Sequence, residues 1–74
     1  MTNTEIILYE ITVTKLTQPA IAEICAMGMM RDGVDSIDWE VVNDAIVKRW
    51  SPAGRERVLT LAWKIIEQAQ RAAK

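Results

Sequence analysis

Residues 37–52 read IDWEVVNDAIVKRWSP, and this stretch decides the fold. With Ser36 or Asp38 as N-cap, the helix that follows carries Asp38 and Glu40 at its start and Lys48 and Arg49 at its end. Each sign opposes the partial charge of the helix terminus it occupies. Asp44 and Lys48 form a favourable i,i+4 pair, and with Asp38 as the cap Ile37 can staple onto Val42. At about 100° per residue, Trp39, Val42, Ile46 and Trp50 fall within roughly 80° of one another, a narrow seam suited to a core. Ser51-Pro52 then opens a second helix, serine as N-cap and proline at N1, with almost no linker.

Beyond that corner, Val58, Leu61, Ala62, Ile65, Ala69 and Ala72 line one face of the last helix, and Leu59, Trp63, Ile66 and Ala73 widen it. The apolar arc spans roughly 200°, about twice what one neighbouring helix covers. The remainder must meet a second helix, a second subunit or another protein. Arg57, Lys64 and Arg71, seven apart, make a basic stripe on the opposite side. Trp63 sits at the edge of the arc, beside Glu56, Thr60, Glu67 and Lys74. Leu59, Trp63 and Ile66 are therefore expected to form an exposed ridge with Trp63 as its anchor, because tryptophan carries disproportionate interface energy.

Upstream, Thr17 as N-cap and Pro19 in the first turn predict a helix from Thr17 to about Met30, stapled by Leu16 onto Ile21. Ile21, Ile24, Cys25 and Gly28 share one face, which Ala20, Met27 and the other methionines widen. Arg31-Asp32-Gly33 supplies the stop, since glycine can take the left-handed conformation. Thr4 to Leu16 supports two readings. Its β-branched and aromatic run, Ile6 to Thr14, favours a strand. Thr2-x-x-Glu5 is the spacing of a capping box that opens a helix. The chain holds no second strand-like run, so an extended segment would have to pair with another molecule, as the shared ribbon does in a ribbon-helix-helix dimer; this tips the reading towards helix.

Composition agrees with one small helical domain over residues 1–74, a bundle of three to four short helices. Half the residues are hydrophobic and 26% are charged, the mixture of a folded chain and not of a disordered tail. A chain of 74 residues buries only about 60% of the surface it exposes when unfolded, so it depends on tight packing or on association. Charge is divided unevenly. Residues 1–47 hold two basic side chains against eight acidic ones, a balance of −6, and residues 48–74 hold seven against two, a balance of +5. Opposite halves suit pairing within or between subunits, and the basic half suits an anionic partner.

The residues needed for most chemistry are missing. With no histidine and a single cysteine, neither a Ser-His or Cys-His nucleophile, nor a zinc ligand set, nor an internal disulfide can be assembled. Cys25 is expected to be a small buried hydrophobe. Asp32, Asp35, Asp38 and Glu40 are dense, but Val34 and Ile37 stand where a calcium loop starting at Asp32 needs an oxygen ligand and a glycine. Capping explains them more simply. Gly28, Gly33 and Gly54 do not form a phosphate-cradling loop. The expectation is a protein with no enzymatic activity, cofactor, metal or small-molecule substrate. The short apolar run Ile6 to Tyr9, with no basic segment before it, is no export signal or membrane span, and one unpaired cysteine suits a reducing compartment. A cytoplasmic location is expected.

Leu16-Thr17-Gln18-Pro19-Ala20-Ile21-Ala22 resembles the opening of the second helix in repressor-type helix-turn-helix domains, where a Leu-Thr-Gln run precedes a Leu-Ala pair. The resemblance implies that the next helix, 37–50, would enter a DNA groove. The chain then departs from the pattern. Residues 26–35 are too long for the turn, and Asp38, Glu40 and Asp44 would face phosphates that repel them. The basic stripe Arg57, Lys64, Arg71 is the better candidate for nucleic acid or another anion. The leading expectation is a non-enzymatic protein-interaction module that forms a homodimer through its C-terminal helix, and the alternative is a nucleic-acid-binding regulator that uses the stripe. Membrane association through that helix is less favoured, since its alanines make a poor lipid anchor.

Overall fold

A computed structural model describes residues 1–73; Lys74, one of the basic residues counted above, lies outside the described residues. Four helices form: α1 (Asn3–Thr12), α2 (Gln18–Asp32), α3 (Trp39–Trp50) and α4 (Pro52–Ala72), with a short 3-10 turn at Val34–Ser36. Among the described residues there is no strand, and the N-terminal segment takes the helical reading.

The capping box decides that segment. The Thr2 hydroxyl accepts from the Glu5 backbone N–H at 3.1 Å, and the Thr2 backbone N–H donates to Glu5 Oε1 at 3.2 Å. Together they satisfy two donors that the first turn would otherwise leave bare. Thr17 caps α2, Asp38 rather than Ser36 caps α3, and Ser51 caps α4 by accepting from the Gly54 N–H at 3.2 Å. Gly33 ends α2 at φ 93° and ψ 160°, a positive-φ conformation more extended than the left-handed helical turn expected there. The positive φ still excludes most side chains.

Packing makes a ring of helices. α2 lies against α1 and α4, and α3 lies against the same two, so each helix has two principal helical neighbours. Ile7 and Ile11 enter the centre from α1, Ile21, Ala22, Cys25, Ala26 and Met29 from α2, Val42 and Ile46 from α3, and Val58, Ala62 and Ile66 from α4. Ile37 closes one end. Burying a side chain of the Val or Ile class stabilises by about 1.5–3 kcal/mol, so these branched residues carry most of the hydrophobic term. The small residues of α2 let its neighbours come close. At Gly28 a β-carbon would stand 3.3 Å from Asn3 Cγ and 3.5 Å from Ile37 Cδ1. The seam predicted for α3 is inward-facing: Val42 and Ile46 are fully buried, with Trp39 and Trp50 packed against the core on either side. Met27, expected on the inner face of α2, points outward instead: the buried side of α2 is made by Ile21, Ala22, Cys25, Ala26, Gly28 and Met29, and Met27 lies outside that arc.

Candidate docking surface around Trp63

The broad apolar arc of α4 finds two helical neighbours inside the subunit. With those two neighbours in place, Val58, Ala62 and Ile66 are buried and Leu59, Leu61 and Ile65 are covered in part. Most of the surplus apolar surface read from the sequence is thus covered within one molecule. Ile66 is only 7% exposed, which corrects its assignment to an outer ridge: it faces the core, and Leu59 is half-buried. Of the expected interface residues Leu59, Trp63 and Ile66, only Trp63 remains open, at 51% exposure.

Trp63 does not stand alone. Met29, Met30 and Val34, from the end of α2 and the 3-10 turn, form one wall of a shallow groove, and Trp63, Ile66, Ala69, Gln70 and Ala73 form the other. Met30 and Val34 are 45% and 43% exposed. The groove thus brings three half-exposed apolar side chains together, with no charged residue in its lining among the described residues. The sequence placed Trp63 here but missed Met30 and Val34. Their only signal was the methionine cluster at 27–30 followed by a valine between two acids, and nothing local to those residues says that α4 passes beside them.

The outer wall is fixed by a polar lattice. Asn3 Nδ2 donates to Asp32 Oδ2 at 2.8 Å and to Ser36 Oγ at 3.0 Å, while Arg31 donates to Asn3 Oδ1 at 2.8 Å and pairs with Asp32 at 3.1 Å. Ser36 Oγ donates to the Gly33 carbonyl, and Trp39 Nε1 donates to the Val34 carbonyl at 3.0 Å. The start of α1 thereby holds the turn that presents Val34. The hydrogen bond from Asn3, and after it the one from Arg31, hold the Asp32 carboxyl below the usual carboxylate range. Bonds from Thr2 do the same for Glu5.

The remaining candidates are placed as follows. Arg57, Lys64 and Arg71 are all exposed on the outer side of α4. The stripe is interrupted: Arg71 pairs with Glu67, Arg57 donates to Gln18 Oε1 at 3.2 Å, and among the described residues only Lys64 of the three has neither kind of side-chain partner. The acidic cluster serves local structure, with Asp32 bound to Asn3 and Arg31, and Asp38 capping α3. Among the described residues no three metal-type ligands converge. Cys25 is fully enclosed, and burial pushes its thiol up to about 11, which leaves it protonated and unreactive at neutral pH. Among the described residues no helix is long and apolar enough to cross a membrane. No family model, curated protein or solved structure matches the chain.

Proposed function

We propose that this chain is a non-enzymatic protein-interaction module whose docking surface is the groove around Trp63. The observation that carries the reading is the convergence of Trp63, Met30 and Val34, each about half exposed, on one groove that no charged side chain lines among the described residues. A half-exposed indole beside adaptable methionine is the composition of an interface anchor. Self-association is the form this reading takes first, because a chain of this size gains stability from a partner. The buried, unpaired Cys25 fits a reducing compartment, so the proposal includes a cytoplasmic location. Sedimentation velocity over a concentration series, with thermal melts of the same samples, tests the reading. Trp63→Ala is expected to weaken association at least tenfold while lowering stability by about 1 kcal/mol, against about 3–5 kcal/mol for Trp39→Ala or Trp50→Ala. Unchanged association, or a stability loss as large as those two, would overturn it.

The competing reading, nucleic-acid binding through Arg57, Lys64 and Arg71, draws support from their shared exposure along α4. It requires retention on DNA that falls steeply with salt. The Glu67 partner of Arg71 and the nearby Glu56 reduce the positive field such binding needs.

A further inference from the structure

We infer that Ser51 is a single-torsion hinge through which two copies of this chain exchange α4, each α4 packing into the place that the other has left. The helix caps carry the argument. Thr2 sits at φ −79° and ψ 161° and Thr17 at φ −68° and ψ 163°, the extended backbone usual for an N-cap, and Asp38 also has negative φ, −79°. Ser51 has nearly the ψ of the two threonines, 167°, but its φ is 115°. Turning that one torsion by about half a turn gives Ser51 the backbone of an ordinary cap. The turn keeps both hydrogen bonds of the corner. Rotation about the N–Cα bond leaves the Ser51 N–H on the Val47 carbonyl at 2.8 Å, because both lie on the α3 side. The Ser51 hydroxyl, which accepts from the Gly54 N–H at 3.2 Å, moves with α4 as one body. Only the direction in which α4 leaves α3 changes.

Ser51 is the one residue between Trp50, the end of α3, and Pro52, the start of α4, and the proline ring fixes its own φ. The freedom of the corner is therefore confined to Ser51, and a short strained connection is the condition that favours exchange of an element between copies. Lys15, the other non-glycine residue at positive φ, lies at 55° in the left-handed region that L-residues do visit, within the longer link 13–17. An opened chain cannot stay alone, since swinging α4 away uncovers Val58, Ala62 and Ile66 and the core they close. A second copy opened in the same way offers the identical surface, so the core contacts of α4 are remade between chains while both corners relax. The Trp63 groove then has walls from two chains, Met29, Met30 and Val34 from one and Trp63 and Gln70 from the other. The exchange does not depend on that groove binding anything.

The full chain is refolded from urea at high and at low concentration and followed by sedimentation velocity, with Ser51→Gly and Ser51→Thr beside the parent and each checked by thermal melt. Threonine keeps the capping hydroxyl while its branched β-carbon resists positive φ, and glycine accepts positive φ freely. The dimer dissociation constant should rise at least about tenfold in Ser51→Gly and fall about tenfold in Ser51→Thr. A Gly-Ser-Gly insert between Ser51 and Pro52 should act as Ser51→Gly does, since a slack connection closes without strain. Isotope-labelled and unlabelled dimers, mixed and followed by native mass spectrometry, should form hybrids only as fast as the chain unfolds, because α4 must leave one core before it enters another. A dimer that exchanges subunits on mixing and is indifferent to Ser51 overturns the exchange of α4; if Trp63→Ala abolishes that dimer, the docking reading stands. Parent and Ser51→Thr chains that stay monomeric after refolding at every concentration overturn it as well. A slowly exchanging dimer that depends on Ser51 and survives Trp63→Ala supports the exchange and removes the docking reading.

Discussion

The guanidinium of Arg49 lies 4.0 Å from the ring centre of Trp50 and from there donates to two backbone carbonyls of another element, Ile11 at 3.4 Å and Lys15 at 2.7 Å. Those carbonyls belong to the end of α1 and the link that follows it. Lys15 sits at φ 55°, the left-handed region, and the bond to Arg49 helps hold it there. One planar cation therefore stacks on α3 while clamping the exit of α1. An ammonium has neither the fork nor the flat face to do both.

Arg49→Ala is accordingly expected to cost about 1–2 kcal/mol, the range for hydrogen bonds from a charged donor together with an exposed cation–π contact. Arg49→Lys should recover less than half of it. Urea unfolding monitored by tryptophan fluorescence measures both. Equal stability of the arginine and lysine forms would show that charge alone matters and that the clamp is incidental.

The α3–α4 corner makes a sharper prediction. Ser51 adopts φ 115° and ψ 167°, a conformation that L-residues rarely take, and a β-carbon at Gly54 would overlap Cβ of Trp50. The two helices can close this tightly only because position 54 has no side chain. Gly54→Ala should destabilise by about 1–3 kcal/mol despite alanine's better helix propensity, since the opposing atom is anchored to the backbone and cannot rotate away. Ser51→Gly should stabilise by about 0.5–1 kcal/mol: strain relief exceeds both the lost cap and the greater freedom of glycine in the unfolded chain. Opposite shifts of the melting midpoint are expected from the pair. A stabilising Gly54→Ala would mean that the corner is looser than described.

How much of this was legible depends on how local the determining physics is. Caps are local, so Thr2, Thr17 and Ser51 could be read directly and the α3 cap narrowed to Ser36 or Asp38, and the capping box outweighed the β-branched run of α1 because α1 could bury Ile7 and Ile11 against neighbours while a lone strand had none. The α3 seam was equally readable from its period. The outward fate of α4 was not. Periodicity gives the width of an apolar arc and says nothing of how many helices will cover it, so Leu59, Trp63 and Ile66 look equivalent in sequence although α2 seals Ile66 and leaves Trp63 open. Met30 and Val34 were hidden for the same reason: the groove exists only where the end of α2 crosses α4. Reading charge by halves captured the imbalance but not its pairing, in which Arg71 turns to Glu67 and Arg57 to Gln18.

The lattice at the groove wall connects acidity to docking. Asp32 and Glu5 both have carboxyls held below the ordinary range by hydrogen bonds, Asp32 chiefly by Asn3 and then by Arg31, Glu5 by Thr2. For a carboxylate whose folded value is depressed, the stabilisation is fully present above the unfolded value of about 4 and disappears as pH falls through the folded value. Stability should therefore decline progressively below about pH 4, with the loss beginning at the turn that Asn3, Asp32 and Ser36 hold together. Asp32→Asn should be less stable than the parent at pH 7 and show a flatter acid limb in urea midpoints measured from pH 6 to pH 2. Asn3→Ala should weaken the same wall without removing a charge. Because that wall carries Met30 and Val34, both variants should also loosen association at neutral pH, while a variant in the separate groove between α1 and α3, such as Asp44→Asn, should not. A parallel acid limb in Asp32→Asn and the parent would show that the carboxylate does not report on the turn, and the link between this lattice and the groove would be lost with it.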